Sequence, residues 1–125
     1  MKTINTKNAP QAIGPYSQAK VVNNFVFTSG QIPLRSDGTM ISDDFEQECL
    51  QVLDNIEEIL KASGSSMTNI IKLTVYLTDL SKFDILNNVF NAYFNDFLPA
   101  RSTIEVSKLP KDSRVEIEAI GLINE

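Results

Sequence analysis

The chain has no histidine and no tryptophan, and only one cysteine in 125 residues. Without histidine it cannot build a Ser-His-Asp or Cys-His nucleophile pair, an HExxH zinc site or an imidazole general base. Acid and base work then falls to carboxylates, tyrosines, hydroxyls, lysines and the backbone. A lone Cys49 cannot close a disulfide within the chain, which fits a reducing compartment. No segment approaches the roughly 20 apolar residues of a membrane span. The opening Met1-Lys2-Thr3-Ile4-Asn5-Thr6 lacks the apolar run of a secretory signal. A cytoplasmic location is the expectation. Cations are also scarce, with 11 Lys and Arg against 16 Asp and Glu, a net charge of −5. Binding to nucleic-acid backbones needs clustered cations, so such a partner is not expected. The one basic cluster, Lys108, Lys111 and Arg114, reads as a solvated turn. No internal repeat, linker or low-complexity tract divides the chain, and its length suits a single domain, residues 1–125.

What is present follows two periods. Ala19 to Val22 and Phe25 to Thr28 are short β-rich runs joined by Asn23-Asn24, a hairpin dipeptide, and Asp37-Gly38 marks a second turn. From about Asp43, Phe45, Cys49, Val52, Leu53, Ile56 and Leu60 recur at steps of three and four, the spacing of a helix with one apolar face. Ser42, Asp43 and Asp44 offer N-cap oxygens and Gly64 a C-terminal stop. Ile71, Leu73, Val75 and Leu77 alternate with polar residues, as in a strand buried on one face. A second helix is predicted from Leu86, Val89, Phe90, Tyr93, Phe94 and Phe97, with Ser81 as N-cap and Pro99 beyond its end. Strands near Arg101 to Val106 and Arg114 to Ile123 close the chain. The order is β-β-β-α-β-α-β-β if Thr3 to Thr6 also pairs. Two helices of this kind cover one face of one sheet, a two-layer α+β fold. On the last strand Glu116, Glu118, Ile120 and Leu122 point the same way, so the other face carries apolar and acidic groups together and calls for a partner. Cys49 falls on the core face of the first helix, as a buried and inert thiol. The acids Asp43, Asp44, Glu46 and Glu48 complement the dipole of that helix, and no metal site is assigned.

The segments Pro99-Ala100-Arg101-Ser102-Thr103, Leu109-Pro110-Lys111-Asp112 and Val115-Glu116-Ile117-Glu118-Ala119 set one arginine and two acids on neighbouring strands. A guanidinium can grip a carboxylate with two hydrogen bonds, and a glutamate can move protons to and from water, which suits hydrolysis of a small acid. The residues alone leave other pairings open. Arg101 can instead pair with Glu105 or Glu118, and Glu116 and Glu118 can be solvated or paired with Lys111 and Arg114.

These segments, with Ala12-Ile13-Gly14-Pro15-Tyr16-Ser17-Gln18-Ala19, Thr28-Ser29-Gly30-Gln31-Ile32-Pro33, Leu53-Asp54-Asn55 and the run Lys72 to Leu80, resemble the RidA (YjgF) family of reactive-intermediate deaminases, in order and across nearly the whole length. The resemblance implies a chorismate-mutase-like fold, one mixed sheet covered on one face by two helices, assembled as a homotrimer with sites at the subunit clefts. It implies hydrolysis of 2-imino acids and enamines (2-aminoacrylate, 2-iminopropanoate, 2-iminobutanoate) to 2-keto acids and ammonia, with no cofactor. By the same match Arg101 holds the substrate carboxylate and Glu116 activates water and protonates the departing amine. Tyr16, Ser29, Gly30, Asn87 and backbone groups at Thr103 line the pocket, and Glu118 is structural. Asn88 adjoins Asn87, so a shift of one residue would exchange them. Thr103 stands where many members have cysteine, and the Asn95-Asp96-Phe97-Leu98 loop lacks a histidine often found near it. The alternatives attached to the family are a trimeric module that binds a small carboxylate for regulation and a ribonuclease or translation inhibitor.

Overall fold

The computed structural model describes residues 1–124. The elements run β1 (Lys2–Ile4), β2 (Ala19–Val22), β3 (Phe25–Thr28), α1 (Phe45–Ser63), β4 (Ile70–Leu77), α2 (Phe83–Phe94), β5 (Ala100–Glu105) and β6 (Val115–Leu122), with short 3-10 turns between some of them. The six strands form one sheet in the order β1-β2-β3-β6-β4-β5. β4 and β5 are parallel, with α2 as their crossover, and the other neighbours are antiparallel. This is the expected order of elements and the expected two-layer α+β arrangement.

Both helices lie on one face because their apolar stripes have only that face to cover. Asp44 starts α1 by accepting the Gln47 N–H at 3.1 Å, and Gly64 ends it at φ 84, a left-handed turn that suits a residue without Cβ. Cys49, Val52, Leu53, Ile56, Ile59 and Leu60 of α1 and Leu86 of α2 are fully buried with Leu73, Val75 and Leu77 of β4 and Ile117 of β6. Burying each large aliphatic side chain contributes about 1.5–3 kcal/mol relative to leaving it in water.

The structure differs from the sequence expectation at four places. Ile70, not Ile71, joins Leu73, Val75 and Leu77 in the core, because a register shift between Ile70 and Lys72 turns Ile71 outward. Ser81 does not cap α2: Asp79 accepts the Ser81 N–H at 2.9 Å and opens a 3-10 turn, Leu80–Lys82, that runs into the helix. Phe97 is exposed, because α2 ends at Phe94 with Asn95 at φ 55 and a backbone bond from Asn95 N–H to Asn91. Arg114 is not part of a solvated turn. Its guanidinium holds the buried Glu48 carboxylate through two nitrogens and lies 5.5 Å from the Phe45 ring centroid. That pair also takes Arg114 away from Glu116 and Glu118.

The second sheet face carries no helix. Phe25 opposes Leu122 and Phe27 opposes Ile120 on it, and Phe25, Phe27, Leu122 and Ile104 are all exposed.

Candidate active site

Strand pairing decides where the two charged groups point. Arg101 lies beside Leu73 in the parallel pair of β5 and β4, so it shares the face that Leu73 presents to the helices. Glu116 is paired with Tyr76, which alternates with the buried Val75 and Leu77 and so faces the other way. Within one chain the guanidinium and the carboxyl group therefore stand on opposite faces of the sheet and line separate clefts.

The first cleft, of about 290 Å³, is lined by Ile13, Tyr16, Ser29, Gly30, Ile32, Pro110 and Glu116. Three of the residues expected at the pocket, Tyr16, Ser29 and Gly30, thus meet Glu116. Gly30 forms the floor under the acid: a Cβ there would lie 2.2 Å from Glu116 Oε2 and 2.8 Å from its Cδ. Backbone bonds between Gln31 and Ile117, at 2.8 and 3.0 Å, hold the 29–31 segment against β6 next to the acid. Ser29 Oγ donates to the Ser17 carbonyl at 2.5 Å, and the Tyr16 hydroxyl accepts the Ile13 N–H at 3.2 Å. The N-terminal segment that carries Ile13 and Tyr16 is anchored by the buried Gln18 side chain. Gln18 accepts the Thr6 N–H at 2.7 Å and donates to the Thr6 and Pro10 carbonyls at 3.1 and 2.8 Å. Burial, and then the charge of Glu118, raise the proton affinity of Glu116 above that of a free glutamate. A carboxyl group whose proton affinity is raised can serve both to accept and to return a proton.

The second cleft, of about 370 Å³, is lined by Asn87, Phe90, Asn91, Leu98, Pro99 and Arg101. Asn87 Oδ1 accepts from Arg101 Nη2 at 2.8 Å, and the guanidinium carbon lies 5.3 Å from the Phe83 ring centroid and 5.0 Å from that of Phe90. Neither Glu105 nor Glu118 pairs with it: the ion pairs among the described residues are Arg114 with Glu48 and Lys61 with Glu58. Burial lowers the pKa of Arg101 from its ordinary high value without any acid to offset it. A cation fixed in this way, with four of its five N–H groups not engaged by Asn87, is prepared for an external carboxylate.

Asn87 faces the arginine, whereas Asn88 lies on a different surface near Asp43 and Lys82. Thr103 lies beside Val75 in register and lines neither cleft, and its Oγ1 is buried without a hydrogen-bond partner among the described residues. No three His, Cys, Asp or Glu side chains among the described residues converge as a metal site. Phe83 and Phe90 were not expected at the arginine. Their spacing from Asn87, i, i+4 and i+7 on α2, was the available signal. Asn55 of the Leu53-Asp54-Asn55 segment is a further anchor. Its buried amide donates to the Ile32 and Leu34 carbonyls at 3.3 and 2.8 Å and so fixes the wall of the Glu116 cleft.

The two-layer α+β fold thus holds a fixed, acid-free arginine in one cleft and a carboxyl group of raised proton affinity in another, groups whose chemistry suits a small anionic molecule and proton transfer. Its relatives agree on one lineage. The model of the family described as Endoribonuclease L-PSP matches residues 6–123, and the chain belongs to this family, which is the RidA (YjgF) family. A RutC family protein of Pyrococcus horikoshii is 48% identical over 121 residues, 96% of each chain. Human 2-iminobutanoate/2-iminopropanoate deaminase is 44% identical over 122 residues, 97% of this chain and 89% of the human one. The crystal structure of the Escherichia coli YjgF gene product superposes with a TM-score of 0.94 at 42% identity, covering 99% of this chain and all of the other.

Proposed function

We propose that the protein hydrolyses 2-imino acids and their enamine tautomers, among them 2-aminoacrylate, 2-iminopropanoate and 2-iminobutanoate, to 2-keto acids and ammonia. It does so as a single-domain protein of the cytoplasm, assembled as a homotrimer with its sites between subunits. The observation that carries the reading is the separation of the two charged groups. A guanidinium fixed without an acid partner lines one incomplete cleft, and a carboxyl group with raised proton affinity lines another on the opposite face. A small 2-imino acid can meet both only where two chains adjoin. The uncovered sheet face with Phe25, Phe27, Ile104 and Leu122 supplies an apolar surface for that contact. The 44% identity to the human deaminase supports the same reaction.

In the composite site the partner subunit's Arg101 fixes the substrate carboxylate, with Asn87 and the two phenyl rings holding the guanidinium in plane. Glu116 accepts a proton from water as the water oxygen bonds to C2, which gives a carbinolamine. The carbinolamine is neutral because the imine reacts as its N-protonated form. Glu116 then delivers the proton to nitrogen, and as the C–N bond breaks and the C2 hydroxyl becomes the carbonyl, the hydroxyl proton passes back to the Glu116 carboxylate, releasing ammonia and the 2-keto acid. The imine carbon is already electrophilic, so the residues present suffice for the step. Tyr16, Ser29 and Gly30 close the cleft around the reacting carbon. With one arginine in its cleft and a net charge of −5, the site is poorly equipped to hold an RNA backbone, despite the family's description.

Stopped-flow measurement of imine loss, with the imine supplied by a serine or threonine dehydratase, tests the reading. Arg101→Ala is expected to lower kcat/KM at least about tenfold through loss of the charge-assisted contact. Glu116→Gln is expected to abolish turnover while 2-keto acid binding persists. Equal rates with and without Arg101 would contradict the scheme. Full biological function in a Glu116→Gln variant without turnover would favour a regulatory binding module instead.

A further inference from the structure

Glu116 does not stand alone on the open face. Glu118, two residues on along β6, points the same way, and the rise of a strand places such neighbours about 7 Å apart. Tyr76, the residue directly opposite Glu116 on β4, does not bond to Glu116 but reaches diagonally and donates its hydroxyl to Glu118 Oε1 at 2.5 Å. The phenol thus fixes one acid of the pair by its acceptor oxygen and leaves the other facing Gly30 and the cleft. β4 and β6 are central strands joined by a long antiparallel ladder, so this triad is held by rigid backbone.

We propose that Tyr76 and Glu118 are positioning residues for the deamination, the phenol pinning the Glu118 carboxylate so that its charge stands at a fixed place beside Glu116 throughout the cycle. This rests on the reading of Glu116 given above. The consequence is chemical. A neighbouring negative charge makes Glu116 a stronger base toward the attacking water and keeps the received proton on it until the amine is ready to leave. The two causes that raise the proton affinity of Glu116, burial first and Glu118 second, agree with this division of labour. The same bond raises the pKa of Tyr76, which keeps the phenol protonated as a donor.

The other groups near Glu116 do not supply the same effect. The 29–32 segment contributes Ser29, Gly30 and Ile32, none of which carries a charge, and the N-terminal segment contributes the phenol of Tyr16. On β4 the charged Lys72 is opposite Ile120, two residues beyond Glu118. On the open side of β5 the neighbours in register with Thr74 and Tyr76 are Ser102 and Ile104. At the rim, Lys111 and Asp112 follow Pro110 with their side chains exposed. Across the subunit boundary the charge expected is the partner subunit's Arg101, which is present in wild type and variants alike.

The test is the pH dependence of kcat/KM in the assembled protein, with 2-iminobutanoate generated in place by a threonine dehydratase. Glu118→Gln removes the charge and is expected to move the acid limb to lower pH by about half a unit, the shift produced by one charge about 7 Å away in a water-like medium. Tyr76→Phe removes the tether and is expected to move the limb in the same direction by less. Thermal unfolding and size-exclusion measurements establish that each variant is folded and assembled. A purely structural role would lower the melting temperature and leave the limb in place, so acid limbs that coincide with wild type in both variants would overturn the proposal. Arg101→Ala, run in parallel, separates the two ideas: retained turnover there refutes the site reading, whereas the position of the limb alone judges the pair.

Discussion

Gly30→Ala perturbs the site at a single atom. The added methyl carbon would lie 2.2 Å from Glu116 Oε2, 2.8 Å from Cδ and 3.0 Å from Cγ, while no backbone or core atom is among its three nearest contacts. Ordinary contacts between such atoms begin near 3.5 Å, so the carboxylate must withdraw by about 1 Å or more. Gly30 is not in the left-handed region, so alanine meets no backbone penalty there. The carboxylate end of Glu116 is the free end of a flexible side chain and can move without disturbing the core. A displacement of about 1 Å in a catalytic group costs on the order of a hundredfold in rate, equivalent to about 2.7 kcal/mol in the barrier. The expected result is a kcat/KM lowered by between about tenfold and a hundredfold, with a melting temperature close to that of wild type. Imine disappearance followed by stopped flow, beside thermal unfolding of the same preparation, measures both. Wild-type kcat/KM in a folded Gly30→Ala variant would show that the position of the Glu116 carboxylate does not limit the reaction, and would refute the reasoning.

Arg114→Ala leaves the Glu48 carboxylate buried without its counter-charge. It is expected to destabilise the fold by about 3 kcal/mol, the low end for a broken buried pair because the guanidinium is partly exposed; the urea midpoint at unchanged m-value reads this. The Cys49 thiol is buried and its pKa is pushed up to about 12, chiefly by burial. Iodoacetamide at pH 8 should therefore leave the native protein unlabelled and alkylate it readily in urea, and labelling at equal rates would refute the burial. The folded state holds the Glu116 proton more tightly than the unfolded chain does. That contribution to stability is complete below the unfolded carboxyl range and is lost as pH rises through the folded-state value. Denaturant unfolding should therefore find wild type losing stability relative to Glu116→Gln across that window as pH rises, and parallel curves would contradict the raised proton affinity.

Much of the fold was legible because periodicity is a local property. Steps of three and four from Phe45 to Leu60 announced α1, the Asn23-Asn24 dipeptide announced the first hairpin, and Asp44 and Gly64 marked helix ends by chemistry that acts within one turn. The misses were places where a neighbour overruled the local pattern. Ile71 continues an apolar alternation, yet the shifted pairing of β4 with β6 turns it outward. Phe97 continues a helical stripe, yet the chain leaves the helix at Asn95. Arg114 looked like one member of a surface cluster, and only the packing of β6 against α1 brings it to Glu48, 66 positions away in the chain.

The candidate site divides the same way. The sequence by itself determined the chemical repertoire: one arginine at the head of a strand, two acids on one face of another, no imidazole to compete with them, and motifs enough to name the family. The tertiary structure alone decided that Arg101 and Glu116 stand on opposite faces of the sheet, that Phe83, Asn87 and Phe90 hold the one, and that Gly30, Tyr76 and Glu118 surround the other. The physical reason is that the facing of a strand residue follows from which strand pairs with which and in what register. That is settled by long-range burial, to which no short stretch of sequence has access.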